Sequence, residues 1–128
     1  MEFRVDRSSG LPPFRQIVQQ VTEGLRLGVI GPGARLPVVR EVVATSGVNA
    51  NTVLKAYREL ELRGLVEVRQ GSGTFVTGAT SAIDSAVLEE LRGELAVWIE
   101  RAVGAGLVET DLEALLRSVL IEKGVPSR

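Results

Sequence analysis

The stretch Val48-Asn49-Ala50-Asn51-Thr52-Val53-Leu54-Lys55-Ala56-Tyr57-Arg58-Glu59-Leu60 decides the fold. Val53, Ala56, Tyr57 and Leu60 recur at steps of three and four, which is one buried stripe of a helix. Asn49 stands just ahead of that stripe and reads as its N-cap, because its side-chain oxygen can accept a backbone N–H that the first turn leaves without a partner. Asn51, Thr52, Lys55 and Arg58 fall largely on the other side of the helix. Just upstream, Gly47 stops a shorter helix that starts near Pro37, a residue suited to a first helical turn because its missing N–H costs nothing there. Two helices joined by a tight glycine-containing turn make a helix-turn-helix, which can offer its second helix to a DNA major groove.

Working outward, a further helical pattern precedes this pair. After Pro12-Pro13, the residues Phe14, Ile17, Val18, Val21 and Leu25 form one apolar face, and Gly28 to Gly33, with Pro32 inside, breaks it. Val38, Val39, Val42 and Val43 can supply the inner face of the short second helix. Their β-branching lowers helix propensity, so tertiary packing must hold that helix. Downstream, Gly64 ends the third helix. Two short strands are expected at Leu65 to Arg69 and Thr74 to Thr77, with Val66 and Val68 alternating with Glu67 and Arg69 at the period of a half-buried strand. Gln70-Gly71-Ser72-Gly73 is the turn between them. The order helix, helix, turn, helix, hairpin predicts a mainly α fold with a small β-hairpin, a winged helix-turn-helix over residues 1–78.

Gly78 to Ser81 is small, polar and uncharged, and reads as a linker to a second region, residues 79–128. There Leu88, Leu91, Leu95, Trp98 and Ala102 repeat at steps of three and four in a heptad-like seam. Gly104-Ala105-Gly106 is a turn, and Thr110-Asp111-Leu112-Glu113 has the form of a capping box. Leu112, Leu115, Leu116, Val119 and Leu120 form the next apolar face. Two helices of this length cannot enclose a sizeable core alone, and a second copy is the simple way to bury both faces. The expected interface, a four-helix arrangement around a two-fold axis, comprises Leu88, Leu91, Leu95, Trp98, Leu112, Leu115, Leu116 and Val119.

Composition narrows the chemistry. The chain has 128 residues, 45% of them hydrophobic and 24% charged, as in an ordinary globular protein. It contains no cysteine and no histidine, which removes thiolate sites, disulfides, the commonest metal ligand and the usual general base. Carboxylate pairs such as Glu59/Glu61 and Glu89/Glu90 lie on helices as surface charges, without the desolvated setting that acid–base chemistry needs. No catalytic residue, metal site or cofactor is expected. No secretion signal and no apolar run near the ~18–20 residues of a membrane span appears, so the expected location is the cytoplasm. The net charge of −1 hides an asymmetry: residues 1–78 hold ten basic and seven acidic side chains, and residues 79–128 hold five and nine. A net +3 on the first half and −4 on the second fits nucleic-acid contact by the first.

Three segments, Gly33-Ala34-Arg35-Leu36-Pro37-Val38-Val39-Arg40-Glu41-Val42, the stretch quoted first, and Gly64 through Val76, together resemble the GntR family of bacterial repressors, nearly without gaps from about Pro12 to Thr77. The Asn-x-Asn-Thr-Val run, with about fifty residues after the winged region, resembles the YtrA subfamily. The resemblance implies DNA contact by Arg40, by Asn49, Ala50, Asn51 and Thr52 at the start of the recognition helix, and by Gly71 at the wing tip. It also implies control of transporter operons.

Physical chemistry is consistent with these roles. Arginine presents a planar fork to guanine O6 and N7, asparagine can pair twice with adenine, and each such pair gives about 1–3 kcal/mol of discrimination. Thr52, Lys55 and Arg58 suit phosphate contacts. Three positions depart from the family pattern: Val38 where a capping serine is common, Ala50 where arginine or proline is common, and Leu54 where a polar residue is common. Leu54 could touch a thymine methyl or pack against the wing.

The expected function is a sequence-specific repressor that binds double-stranded DNA as a homodimer on an inverted repeat. The competing function is a protein-interaction module whose winged helix no longer reads DNA, and steep salt dependence of DNA binding separates the two. A small-molecule effector is compatible with a shallow site at the dimer interface near Trp98, but no residue points to one, and the tail is short for a pocket of ~300 Å³ or more.

Overall fold

The structure, a computed structural model, describes residues 1–77 and 83–126. It contains two compact units, Met1–Ser85 and Ala86–Arg128. The linker expected at Gly78 to Ser81 lies outside the described residues.

In the first unit α1 spans Pro13–Arg26, α2 Val39–Ser46, α3 Ala50–Leu62, β1 Val66–Arg69 and β2 Gly73–Val76. The helix α1 packs mainly on α3, and α2 also lies against α3. Ile17, Val18, Val21 and Leu25 from α1 meet Val42 from α2 and Val53, Ala56, Tyr57 and Leu60 from α3 in one buried aliphatic cluster. Burial of each large side chain there contributes about 1.5–3 kcal/mol. The stripe read from the sequence for α3 is the buried one. Of the four valines assigned to the inner face of α2, only Val42 is fully buried; Val39 and Val43 pack against the edge of the cluster, and Val38 lies ahead of the helix at its N-cap. A helix of only eight residues makes just over two turns, so few of its positions can face α3.

The wing is an antiparallel pair in which Val66 faces Val76, Glu67 faces Phe75, Val68 faces Thr74 and Arg69 faces Gly73. The sequence placed Val66 and Val68 on one half-buried face. They do share a face, but Val66 is 2% exposed and Val68 is 60% exposed. Period-two alternation reports which face a side chain is on, and the core ends before Val68 because the hairpin projects past it.

Two features were not anticipated. The segment Ala34–Leu36 runs antiparallel beside β2 in the manner of a short third strand: Leu36 N donates to Thr74 O at 2.8 Å, Val76 N to Ala34 O at 2.8 Å, and Gly33 N to Val76 O at 2.9 Å. The wing is therefore hydrogen-bonded to the chain that leads into α2. In addition, the first dozen residues lie along α1. Phe3 is 3% exposed, with its ring centroid 6.4 Å from that of Tyr57. The buried Gln16 amide donates to Asp6 O at 2.8 Å and Leu11 O at 2.9 Å, and its oxygen accepts from Asp6 N at 2.8 Å. Gln20 clasps both the N–H and the carbonyl of Arg4 in the same way. Each buried polar group on this side of Gln16 is thereby satisfied, which is the condition for burying it without a large penalty.

In the second unit, described to residue 126, α4 spans Ser85–Gly104 and α5 Glu109–Lys123. The helix begins two residues earlier than the capping-box pattern at Thr110 predicts. Val108, extended at φ −106°, is the N-cap, and the Asp111 carboxylate reaches back to accept the Val108 N–H at 2.9 Å, so Thr110 lies inside the first turn. Gly124 at φ 62° ends α5 in the left-handed conformation that glycine adopts without strain. Among the described residues of this unit only Ala102 is buried, and α4 and α5 cover almost none of each other's apolar surface.

Candidate nucleic-acid interface

Gly47, at φ 72°, turns the chain sharply between α2 and α3, and its carbonyl accepts from the Arg7 guanidinium at 2.7 Å. Asn49 then starts α3: its Oδ1 accepts from Asn51 N at 2.8 Å, while its backbone carbonyl accepts from Thr52 and Val53. The cap leaves Ala50 and Asn51 exposed and Thr52 half-buried at the helix N-terminus. The relation of α2 to α3 is fixed from below. The Tyr57 hydroxyl donates to the Pro37 carbonyl at 2.6 Å, directly ahead of α2. Burial pushes the pKa of this phenol well above its ordinary value and the Glu41 carboxylate adds to the effect, so Tyr57 remains a neutral donor.

Arg40 stands in the first turn of α2 and is exposed; Arg58 is exposed on the outer side of α3. Among the described residues no side-chain hydrogen bond or ion pair ties either guanidinium, so both keep their donors for a partner. Arg40 forms no ion pair with the neighbouring Glu41 or with Glu23. Lys55 differs from its neighbours, because its Nζ lies 4.1 Å from the centroid of the Phe14 ring and thus leans toward α1. This cation–π contact holds the ammonium at the surface rather than neutralising it.

Gly71 sits exposed at the wing tip with φ 79°, and the Ser72 N–H closes the turn onto Arg69 O at 2.9 Å. The Arg69 guanidinium stacks 4.4 Å from the Phe75 ring centroid and pairs with Glu67 at 2.9 Å. At the wing root, Arg35 crosses Gly73 so closely that a Cβ on the glycine would lie 2.8 Å from Arg35 Nε. Arg35 was not singled out from the sequence. Its signal was the alternation of Ala34, Arg35 and Leu36 ahead of Pro37, which is legible as a strand only once its partner is known.

Between these elements lies an open groove of about 420 Å³, bordered by Val38 and Val39 at the start of α2, Leu54 and Arg58 on α3, and Val68 on β1. The start of α2, the outer side of the third helix and the wing thus share one surface. The expected interface positions in the second unit are exposed or half-exposed, with Leu91, Leu95, Leu115, Leu116 and Val119 between 41% and 53% exposed and Trp98 at 38%. Leu88 and Leu112 are half-buried. Among the described residues no group of histidine, cysteine or carboxylate side chains could hold a metal ion.

A capped helix presented after a tight turn, with a glycine-tipped hairpin beside it, defines a winged helix-turn-helix protein. Residues 13–76 match the family described as bacterial regulatory proteins, gntR family. The chain is 44% identical over 118 residues to the HTH-type transcriptional regulator Rv1152 of Mycobacterium tuberculosis, an alignment covering 91% of this chain and 92% of that protein. It is 42% identical over 74 residues to the HTH-type transcriptional repressor YtrA of Bacillus subtilis, covering 58% of this chain and 57% of that one. Among solved structures it is similar to YtrA from Sulfolobus acidocaldarius, a GntR-family transcription factor, with a TM-score of 0.53 and 30% identity over 92% of this chain and 96% of the other. It is also similar to AraR(DBD) in complex with operator ORX1, with a TM-score of 0.54 and 28% identity over 59% of this chain and 96% of the other. The protein belongs to the GntR family of bacterial regulators, and its relatives include proteins of the YtrA type.

Proposed function

We propose that the protein is a sequence-specific DNA-binding transcription regulator, a repressor that occupies an inverted-repeat operator as a homodimer in the cytoplasm. The observation that carries this reading is the surface shared by the start of α2, the outer side of α3 with Arg58, and the wing, with Arg40 exposed in the first turn of α2 and neither guanidinium paired among the described residues. The first turn of α3, with Ala50, Asn51 and Thr52, enters the major groove, Arg40 and Asn51 meet base edges, Asn49 and Thr52 flank them, and Lys55 and Arg58 meet phosphates. At the wing tip Gly71, lacking a side chain, lets backbone N–H groups approach the sugar-phosphate chain.

The division of labour follows the two units, the first reading DNA and the second pairing. The apolar faces of α4 and α5, through Leu88, Leu91, Leu95, Trp98, Leu112, Leu115, Leu116 and Val119, are covered by the same faces of a second copy. Such a dimer sets two recognition helices about 34–36 Å apart, or a multiple of that spacing. No membrane is a partner in this reading: no helix among the described residues is long and apolar enough to cross one.

The test is selection of bound sequences from a random duplex pool, run in parallel on the wild type and on Arg40→Ala. An inverted repeat recovered by the wild type and blurred by the variant is the expected result, with affinity falling about 0.9 log unit per phosphate contact for each decade of salt. Failure of both proteins to enrich any sequence at low salt would overturn the reading.

A further inference from the structure

The groove beside α3 is apolar where it would meet bases. Leu54 is 44% exposed and Val68 60% exposed, and both face the groove that Val38 and Val39 floor. Leu54 lies one helical turn after Ala50, on the outer side of the helix, so it continues the exposed edge that begins with Ala50 and Asn51. Large exposed aliphatic side chains on a rigid helix and a strand are costly to leave in water unless a partner covers them. The margin is cationic at Arg58, whose guanidinium has no ion-pair partner among the described residues, while Glu61 stands toward the far end of the groove from the start of α3. An apolar floor beside a free guanidinium fits a polyanion that carries a methyl group between its phosphates.

From this we infer that the groove reads the 5-methyl group of a pyrimidine in the major groove, with Leu54 as the residue that determines specificity and Val68 closing the contact from the wing. Thymine is the ordinary source of that methyl; among the four bases it alone displays one there. The inference rests on the DNA-binding reading above. It adds a base position chosen by an apolar contact rather than by the hydrogen bonds of Arg40 and Asn51. A purely structural role for Leu54, packing against the wing, would leave binding indifferent to the methyl.

The experiment takes the operator enriched by the full-length protein and replaces each thymine in turn with deoxyuridine, which removes only the methyl. Binding is measured for the wild type, Leu54→Ala and Leu54→Met. In each half-site at least one replacement is expected to weaken wild-type binding about fourfold, the factor that one buried methyl gives. Leu54→Ala should bind thymine and uracil at that position equally, and Leu54→Met should keep the preference. Placing 5-methylcytosine for cytosine elsewhere should not substitute for the thymine. Indifference of the wild type to every replacement would overturn the inference, as would a preference that Leu54→Ala retains or an enriched site without thymine. If Leu54→Ala loses all binding, the wild type and Leu54→Met decide the matter. Failure to obtain any operator would instead remove the DNA-binding reading itself.

Discussion

The two units of the chain solve the burial problem in opposite ways. The first carries its core within itself: Ile17, Leu36, Val53 and Leu60, from α1, the wing-adjacent segment and α3, are each at most 2% exposed. The second has comparable aliphatic content but buries only Ala102 among its described residues, and leaves Leu91, Val97, Val103, Leu116 and Ile121 more than half exposed. Periodicity is present in both. What differs is whether the elements return on one another within one chain, and the second unit illustrates that a regular apolar seam does not by itself specify closure within the chain.

The largest expected effect tests the self-contained side of this contrast. Leu60→Ala removes a fully buried side chain where α1, α3 and the wing meet, and should cost about 2–5 kcal/mol in denaturant unfolding followed by circular dichroism. A cost below 1 kcal/mol would mean that the first unit is not held by this core.

The pairing proposed for the second unit is tested by Leu95→Glu combined with Leu116→Glu. Both positions are at least half exposed, so little intrachain packing is lost. Sedimentation is expected to show the wild type as a dimer at tens of micromolar and the double variant as a monomer, with the unfolding midpoint of the first unit retained. A wild type that sediments as a monomer would erase the contrast.

A smaller effect concerns the wing root. Gly73→Ala places a side chain at φ 126° and against Arg35 Nε, and should cost about 1–3 kcal/mol, mostly from backbone strain because the arginine end can move aside. The smallest concerns the start of the recognition helix: Asn49→Ala removes the acceptor for Asn51 N and should cost about 1 kcal/mol. If Asn49 also touches DNA, operator affinity falls by more than that stability loss explains.

Legibility in the sequence followed the range of the interactions involved. The α3 stripe and its Asn49 cap are local, set by residues within two turns of one another, and both could be read directly. The exposure of Val68 could not, because the reach of the core is decided by Leu36, Val66 and Val76, which are distant in sequence. The third strand at Ala34–Leu36 and the arm held by Gln16 and Gln20 were missed for a related reason: neither has a periodic run long enough to register. Of the candidate interface residues, Asn49 and Asn51 could be proposed from residue type and position, and Arg40 from the family resemblance. Leu54 was noticed as an anomaly, but the groove it shares with Val68 needed the three-dimensional arrangement.

The clasp of Gln16 on the segment before α1 has a practical bearing on where this protein can be cut. The stretch matched by the family model starts at residue 13. A fragment trimmed to that boundary would shed Phe3 from over the Tyr57 ring and leave the Gln16 amide without the Asp6 and Leu11 groups it bonds. It would also lose the Arg7 cap on the Gly47 carbonyl at the turn into the recognition helix. The packed unit is therefore longer than the stretch that the family model matches, and a fragment that keeps these contacts begins upstream of Phe3.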